Sequence, residues 1–356
     1  MMITTIGQLL EQMGVTARVF DIGRHIQEIG TDTFAQFEQQ AIAYPAPYLH
    51  QAWIGLLFWD PDTPEIPLLW FIKLPLDEQG KLIHHERDLF LKQLMVALGS
   101  NIEASKQGKQ LAAVLEGNPY VFTPSPERQA AMHAKANQLL NNPASDFYTA
   151  ACDYLNSDLQ QWQSIGLQGL ADVAVRHSEH QSTLINTLAK MPTEPLNHLC
   201  QCLENENISG ALGKALATRL TTELESETLD EALVASLIRG MSQCRALELR
   251  NRTLKLVLGS PAKHIIEVLA AIGTRCGMDL RDPELCLLYL EALCRQGQQS
   301  FNRVLSDLLF CAPIRPHILI AFRNPERSTE LAIAIGELLS PKVDDSPQQN
   351  PPSSIH

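Results

Sequence analysis

DPELCLLYLEALC, residues 282–294, decides the fold class. Its first three residues are a helix start. Asp282 caps the helix, Pro283 sits where a missing N–H costs nothing, and Glu284 faces the positive end of the helix dipole. The stretch from Leu285 to Cys294 is apolar nearly all the way round. A helix of that kind has to be covered on more than one side, which predicts burial between layers of other helices.

The same start signal recurs on either side of it. Ser125-Pro126-Glu127, Ser260-Pro261 and Asn324-Pro325-Glu326 each place a cap before a proline, and Thr228 with Glu231 spells a capping box. Between the starts run clean helical faces. Ile265, Leu269, Ile272 and Cys276 fall at i, i+4, i+7 and i+11, and Leu212, Leu216 and Leu220 repeat at i+4. Such helices cannot bury their faces singly, but stacked pairs can. Residues 125–340 therefore predict an irregular α-solenoid of the HEAT or armadillo kind. The letters contain no strict repeat unit, so a compact helical bundle stays open as the alternative.

Before about residue 125 the grammar changes, and three of the four tryptophans lie there. Thr5 and Gln8 make a capping box for a first helix ending near Gly14. Val15, Ala17 and Val19 alternate with Thr16 and Arg18 as a strand. A second helix is expected over residues 33–43, with Phe34, Phe37 and Ala41 on one face, stopped by the prolines of YPAPY (44–48). WIGLLFW (53–59) is apolar on both faces, so it predicts a central strand covered on both sides. LLWFIKL (68–74) comes after a short proline-rich loop and predicts an antiparallel hairpin partner. DEQG (77–80) marks a turn into a short edge strand at 81–83. Further helices are expected over 86–98, its face marked by Leu89, Gln93 and Val96, and over 102–115. Residues 1–124 thus predict an α+β domain, a small antiparallel sheet with helices packed on it. Residues 341–356 have four prolines and no hydrophobic period, and read as a disordered tail. The whole is a mostly α chain.

A length of 356 residues exceeds a single-core size and fits two structural units. The net charge of −12 opposes indiscriminate binding to nucleic acid or anionic lipid. No apolar run approaches the ~20 residues of a spanning helix, and the N-terminal stretch lacks the basic flank and cleavage site of a secretory signal. The expected location is the cytoplasm, with no membrane partner. The eight cysteines, Cys152, Cys200, Cys202, Cys244, Cys276, Cys286, Cys294 and Cys311, sit inside apolar helical patterns without a CxxC. They are expected to be reduced thiols packed as small hydrophobes.

RVFDIGR (18–24), WFIKLPLDEQG (70–80) and YVFTPSPERQAAMHA (120–134), together with the cysteine-bearing helices after them, resemble an uncharacterised bacterial family known only as a domain of unknown function. The resemblance spans nearly the whole chain short of the tail. It implies one shared architecture and brings no catalytic, cofactor or binding residues.

Recognisable chemistry is sparse. There is no phosphate-binding GxxxxGK[ST], no GxGxxG, no GxSxG elbow and no kinase signature, so no cofactor is expected. His177 and His180 (HSEH) lack a third ligand and read as a helix end. Cys200 and Cys202 (HLCQC) point about 200° apart on a helix and cannot share a metal. His84, His85 and Glu86 open a helix, and the DPD of 60–62 is a turn. What remains is a charge split. Residues 194–231 hold eight acids against two bases, while residues 239–327 hold thirteen bases against eight acids. Arg245, Arg250, Arg252 and Lys255 lie closest together and are the candidate partner-binding residues, although Arg250 and Arg252 cannot face the same way on one helix. The expected function is a non-enzymatic interaction protein, an adaptor or scaffold with a protein partner. Two alternatives are weighed against it. One is nucleic-acid binding on the same scaffold, which lacks aromatics to stack on bases. The other is an enzyme with a site at the domain junction, where clefts favour ligands and where the FTPSPE segment (122–127) lies.

Overall fold

The computed structural model describes residues 3–98 and 118–340. The helix expected over 102–115 and the tail at 341–356 lie outside them. The described chain is mostly helical, with one small antiparallel sheet near its N-terminus.

Four strands form the sheet: β1 (Thr16–Asp21), β2 (Gln27–Ile29), β3 (Gln51–Trp59) and β4 (Leu68–Pro75), in the order β2-β1-β3-β4. β3 is interior, with Val19 opposite Leu56 on β1 and Ile72 opposite Ile54 on β4. Three helices, α1 (Ile6–Gln12), α2 (Thr31–Glu38) and α3 (His84–Leu98), cover one face. Ile54, Leu56, Phe58 and Ile72 are buried there among Leu9, Phe34, Phe37, Phe90 and Leu94. The opposite face places Phe20, Ile22 and Leu57 against Ala131, Met132 and Ala136 of α4 (Pro126–Leu139). Alternation along β3 therefore supplies two cores, as a strand apolar on both faces requires. Each fully buried aliphatic side chain contributes ~1.5–3 kcal/mol.

Some boundaries differ from the sequence reading, each for a local reason. Thr5 Oγ1 accepts from the Gln8 amide at 3.0 Å, but the Gln8 side chain accepts from Thr4 rather than closing a box on Thr5. α2 stops because Gln40 turns to φ +58°, well before Pro45. Residues 81–83 contribute only an isolated bridge, Leu76 to Leu82; the short edge strand is β2. α3 buries Phe90, Leu91 and Leu94, so Val96, expected on its face, points to solvent.

The helices after α4 alternate between two layers. The first layer is α4, α6 (Leu167–Val175), α8 (Thr193–Leu203), α10 (Glu231–Met241), α12 (Ile266–Arg275) and α14 (Gln298–Phe310), each packed on the next. The second is α5 (Tyr148–Leu155), α7 (Gln181–Thr187), α9 (Gly210–Leu224), α11 (Leu247–Gly259) and α13 (Pro283–Cys294), then α15 (Arg315–Ala321) and α16 (Thr329–Leu339), both against α13. α13 buries Leu285, Cys286, Tyr289, Leu290 and Leu293, as its all-round apolarity demands. Asp282 caps it through the Leu285 amide, and Ser125 caps α4 through Arg128. Ser260-Pro261 opens only a 3-10 turn, Asn324-Pro325 opens none of the α-helices, and the cap of α10 is Asp230 rather than Thr228.

Small residues set the spacing between helices. A Cβ on Gly240 of α10 would lie 2.9 Å from Cys200 Sγ of α8, and one on Gly213 of α9 would collide with Cys244 Sγ. Cysteine and glycine thus act together as close-approach pairs. Six cysteines are buried, and Cys152 and Cys294 are partly so.

Candidate functional site

The turn after β1, residues 22–26, leaves the sheet and runs across the C-terminal ends of first-layer helices. It makes a contact at four of them in succession. The Ile26 amide donates to Asn205 Oδ1 just beyond α8 at 2.8 Å, and His25 Nε2 lies 3.3 Å from Ser242 Oγ beyond α10. Arg24 Nη1 donates to the Gly273 carbonyl in α12 at 3.4 Å, and its Nη2 donates to Asp307 Oδ2 in α14 at 2.7 Å. From behind, Arg128 of α4 donates to the carbonyls of Ile22 and Arg24. A buried turn has backbone groups that ladders do not satisfy, and here helix side chains satisfy them.

A second segment locks the same junction. Leu49 and His50 both lie in the left-handed region, at φ +50° and +60°, in the tight turn entering β3. Neither is glycine, so the turn costs conformational energy. Its contacts to α14 offset that cost. The Leu49 amide donates to Asp307 Oδ1 at 2.7 Å, and the His50 ring stacks on Phe310 with centroids 4.2 Å apart. Asp307 thereby accepts from both Arg24 and Leu49.

At the inner end lies a buried ionic cluster. Glu204, fully buried at the C-terminus of α8, accepts from Arg239 Nε at 2.6 Å and lies 3.0 Å from Arg275 Nε and 3.4 Å from Arg128 Nη2. Burial opposes ionisation, but the charges of Arg275, Arg239 and Arg128 outweigh it and hold the Glu204 carboxyl down at about 2. Three guanidinium groups against one carboxylate leave positive charge over. Glu127, which acts on Arg239 at longer range, offsets part of it. Arg275 is the least satisfied of the three. Its Nε and Nη1 are buried without a hydrogen-bond acceptor. The 3.0 Å approach to Glu204 is therefore a charge contact with the N–H misaligned rather than a hydrogen bond.

Between the turn and the helix ends opens a cavity of about 440 Å³, whose wall includes Arg24, His25, Ser242, Thr274, Arg275 and Met278. That is the size of a small-molecule site. Residues 1–339 match the family described as "Protein of unknown function (DUF3549)". The chain belongs to that family. No curated protein and no solved structure matches it. The match spans the turn, both helix layers and the whole wall of this cavity.

His25 and Asp21 in this family member's cavity have altered acidities. Desolvation and the neighbouring Arg275 charge push His25 down to about 3, which keeps the imidazole neutral. Burial raises Asp21 to about 7, although Tyr44 donates its hydroxyl to Asp21 Oδ1 at 2.9 Å. Among the described residues no three His, Cys, Asp or Glu side chains stand close enough to hold a metal ion. His177 bonds the Ala174 carbonyl, while His180 meets Tyr148 Oη at 2.6 Å and lies 3.7 Å from Cys152 Sγ, so the pair shares no face. Cys200 and Cys202 are buried on one helix, and burial pushes both thiols up, Cys200 to about 12.

The basic quartet divides. Arg250 turns inward to Asp279, at 2.6 Å, and to the Cys244 carbonyl. Lys255 pairs with Glu284 at 2.6 Å and Asp282 at 3.2 Å. Arg245 and Arg252 are exposed, and no ion pair reaches either among the described residues. The structure does not gather the four on one face. The residues that do converge, Arg24, His25, Glu204, Arg239 and Arg275, were missed as a site. The available signal was the placement of charges at the ends of otherwise apolar helices, at Glu204, Arg239, Arg275 and Asp307.

Proposed function

We propose that this is a non-enzymatic binding protein: a HEAT-like stack of helix pairs whose junction with the sheet unit holds a cavity for a small ligand. The observation that carries the reading is the state of the cavity wall. Two of its cations are fixed in advance, Arg24 by Asp307 and Arg250 by Asp279, which suits recognition at low entropic cost. The arrangement in the cavity wall that invites a catalytic reading is His25 beside Ser242. An imidazole held down to about 3 is a poor base at neutral pH, and the Ser242 hydroxyl already donates to the Arg239 carbonyl at 2.6 Å. Both facts favour binding over turnover.

The experiment is native mass spectrometry of the protein isolated gently from its own cells, alongside a Met278→Trp variant. Met278 is half exposed at the cavity, so an indole there fills the opening without touching the buried cluster. The reading requires a small molecule that leaves with wild type, is recovered chemically unchanged, and is missing from the variant. Retention by both proteins, or conversion of the molecule on incubation, overturns it.

A second feature favours a protein partner on the outer layer. Arg252 and Lys214 flank a groove between α9 and α11 that also contains Thr218 and Leu256. This keeps the adaptor reading for the cytoplasmic scaffold, with an acidic partner segment as its occupant. Replacing Lys214 and Arg252 by glutamate should abolish capture of that partner while leaving the cavity ligand in place.

A further inference from the structure

We infer that the junction cavity is an oxyanion site in which Arg275 receives a carboxylate or phosphate group of the bound small molecule. The inference rests on the binding reading above and specifies its chemistry. Three observations converge on it. First, the cluster behind the wall pairs three guanidinium groups with one fully buried carboxylate, so it carries unneutralised positive charge in a poorly solvated place. Second, Arg275 is the member of that cluster whose Nε and Nη1 are buried without a hydrogen-bond acceptor, and its side chain, 11% exposed, forms part of the cavity wall. Buried donors without partners are costly, and an anion placed against the guanidinium fork removes that cost. Third, the neighbouring ring is already neutral. His25 therefore does not share the anion with Arg275, and its Nε2 is engaged by Ser242 Oγ at 3.3 Å.

The other charged groups at the cavity do not cancel this field. Arg24 is matched by Asp307, and Arg250 by Asp279. Glu28 is exposed and pairs with Arg18 at 3.2 Å. Asp21, held near neutrality by burial, carries only part of a charge at pH 7. An oxyanion entering the cavity thus meets a cation that shares Glu204 with two other guanidinium groups and whose Nε and Nη1 hydrogens have no acceptor. A guanidinium matches both carboxylate and phosphate with two parallel N–H donors, which is why the shared group, not one named molecule, is specified.

The test is isothermal titration calorimetry at low ionic strength with two probes, inorganic phosphate and succinate, which separate the two sources. Wild type should bind at least one of them saturably. Arg275→Gln should weaken that binding at least tenfold, equivalent to ~1.4 kcal/mol. Arg275→Lys keeps the charge, which guards against simple misfolding, and should weaken binding less than Arg275→Gln. Arg252→Gln, on the outer layer, should change nothing. Bound anion should also raise the pKa of His25, read from its ring nitrogen shifts, in step with anion concentration, whereas loss of packing would raise it without added anion. Saturable binding that survives Arg275→Gln overturns the inference. So does wild type that ignores both anions. In that case a neutral fragment library, monitored at the Met278 methyl group, tells the two failures apart. Neutral fragments that shift Met278 leave the cavity a ligand site and remove only the oxyanion; no shift with any fragment removes both.

Discussion

Replacing Glu204 with glutamine removes the fully buried carboxylate that contacts Arg128, Arg239 and Arg275. The side chain keeps its shape, so the effect is electrostatic. Removing one member of a buried ion pair typically costs ~3–5 kcal/mol, because the remaining charges are left uncompensated. An independent route gives the same scale. A carboxyl titrating at about 2 in the fold and near 4.5 outside it contributes about 3 kcal/mol above pH 5.5. The sign comes from the lowered pKa. The contribution is complete above the unfolded value and disappears as pH falls through the folded one, so about 2 kcal/mol of it has gone by pH 3. Urea unfolding of wild type and Glu204→Gln, followed by helix signal at pH 7, 5 and 3, measures both numbers. The variant should be less stable by ~3–5 kcal/mol at pH 7, and the gap should narrow by about 2 kcal/mol at pH 3. A gap under ~1 kcal/mol at pH 7, the scale of an exposed pair, refutes the buried-cluster argument. So does a gap that stays constant as the pH drops.

Asp21 should act with the opposite sign. Burial raises it from 3.8 to about 7, so the folded state binds its proton more tightly and stability falls as pH rises from about 4 to 7. Asp21→Asn should flatten that decline, by up to ~4 kcal/mol, and parallel pH profiles for the two proteins would refute the assignment. Gly213→Ala should cost ~1–3 kcal/mol through its collision with Cys244, and adding Cys244→Ala should restore part of the loss. Strictly additive effects in that double-mutant cycle would show that the two residues do not meet. Asp307→Asn leaves Arg24 without its acid and weakens the acceptor of the Leu49 amide. Hydrogen exchange of the Leu49 and Ile26 amides should then accelerate at least tenfold while α1 and β4 stay protected; unchanged exchange would disprove the clamp.

The elements were legible in the sequence where a local pattern sufficed. The two-faced run at 53–59 announced an interior strand, and burial by α3 on one side and α4 on the other is its consequence. The all-round apolar run after Asp282 announced a helix between neighbours, and α13 is that helix. Short elements were less legible. β2 has only three residues, too few for a period to show, and its pairing with β1 is set by the turn between them. On α3 the spacing Leu89, Gln93, Val96 suggested the wrong face, because Phe90 and Leu94 beside it have the larger apolar surface to bury. The cavity was invisible for a different reason. Arg24, Glu204, Arg239, Arg275 and Asp307 stand far apart along the chain, and only the stacking of first-layer helices brings their ends together. Charge counting along the sequence weighted Arg250 and Lys255, which nearby acids neutralise.

The bond from Arg24 to Asp307 spans 283 residues of chain. A ribosome adding ~5–20 residues per second needs roughly 15–60 seconds to make that interval. For that time the turn after β1 has emerged, but α8, α10, α12 and α14 arrive one by one, and its last acceptor is the last to be made. The sheet unit can collapse early around its own apolar face. The guanidinium of Arg24 and the left-handed turn at Leu49 and His50 cannot settle until α14 is present. A nascent chain halted before Asp307 would therefore display an unsatisfied arginine and a strained turn beside a finished sheet, the kind of half-made surface that quality-control machinery is suited to recognise.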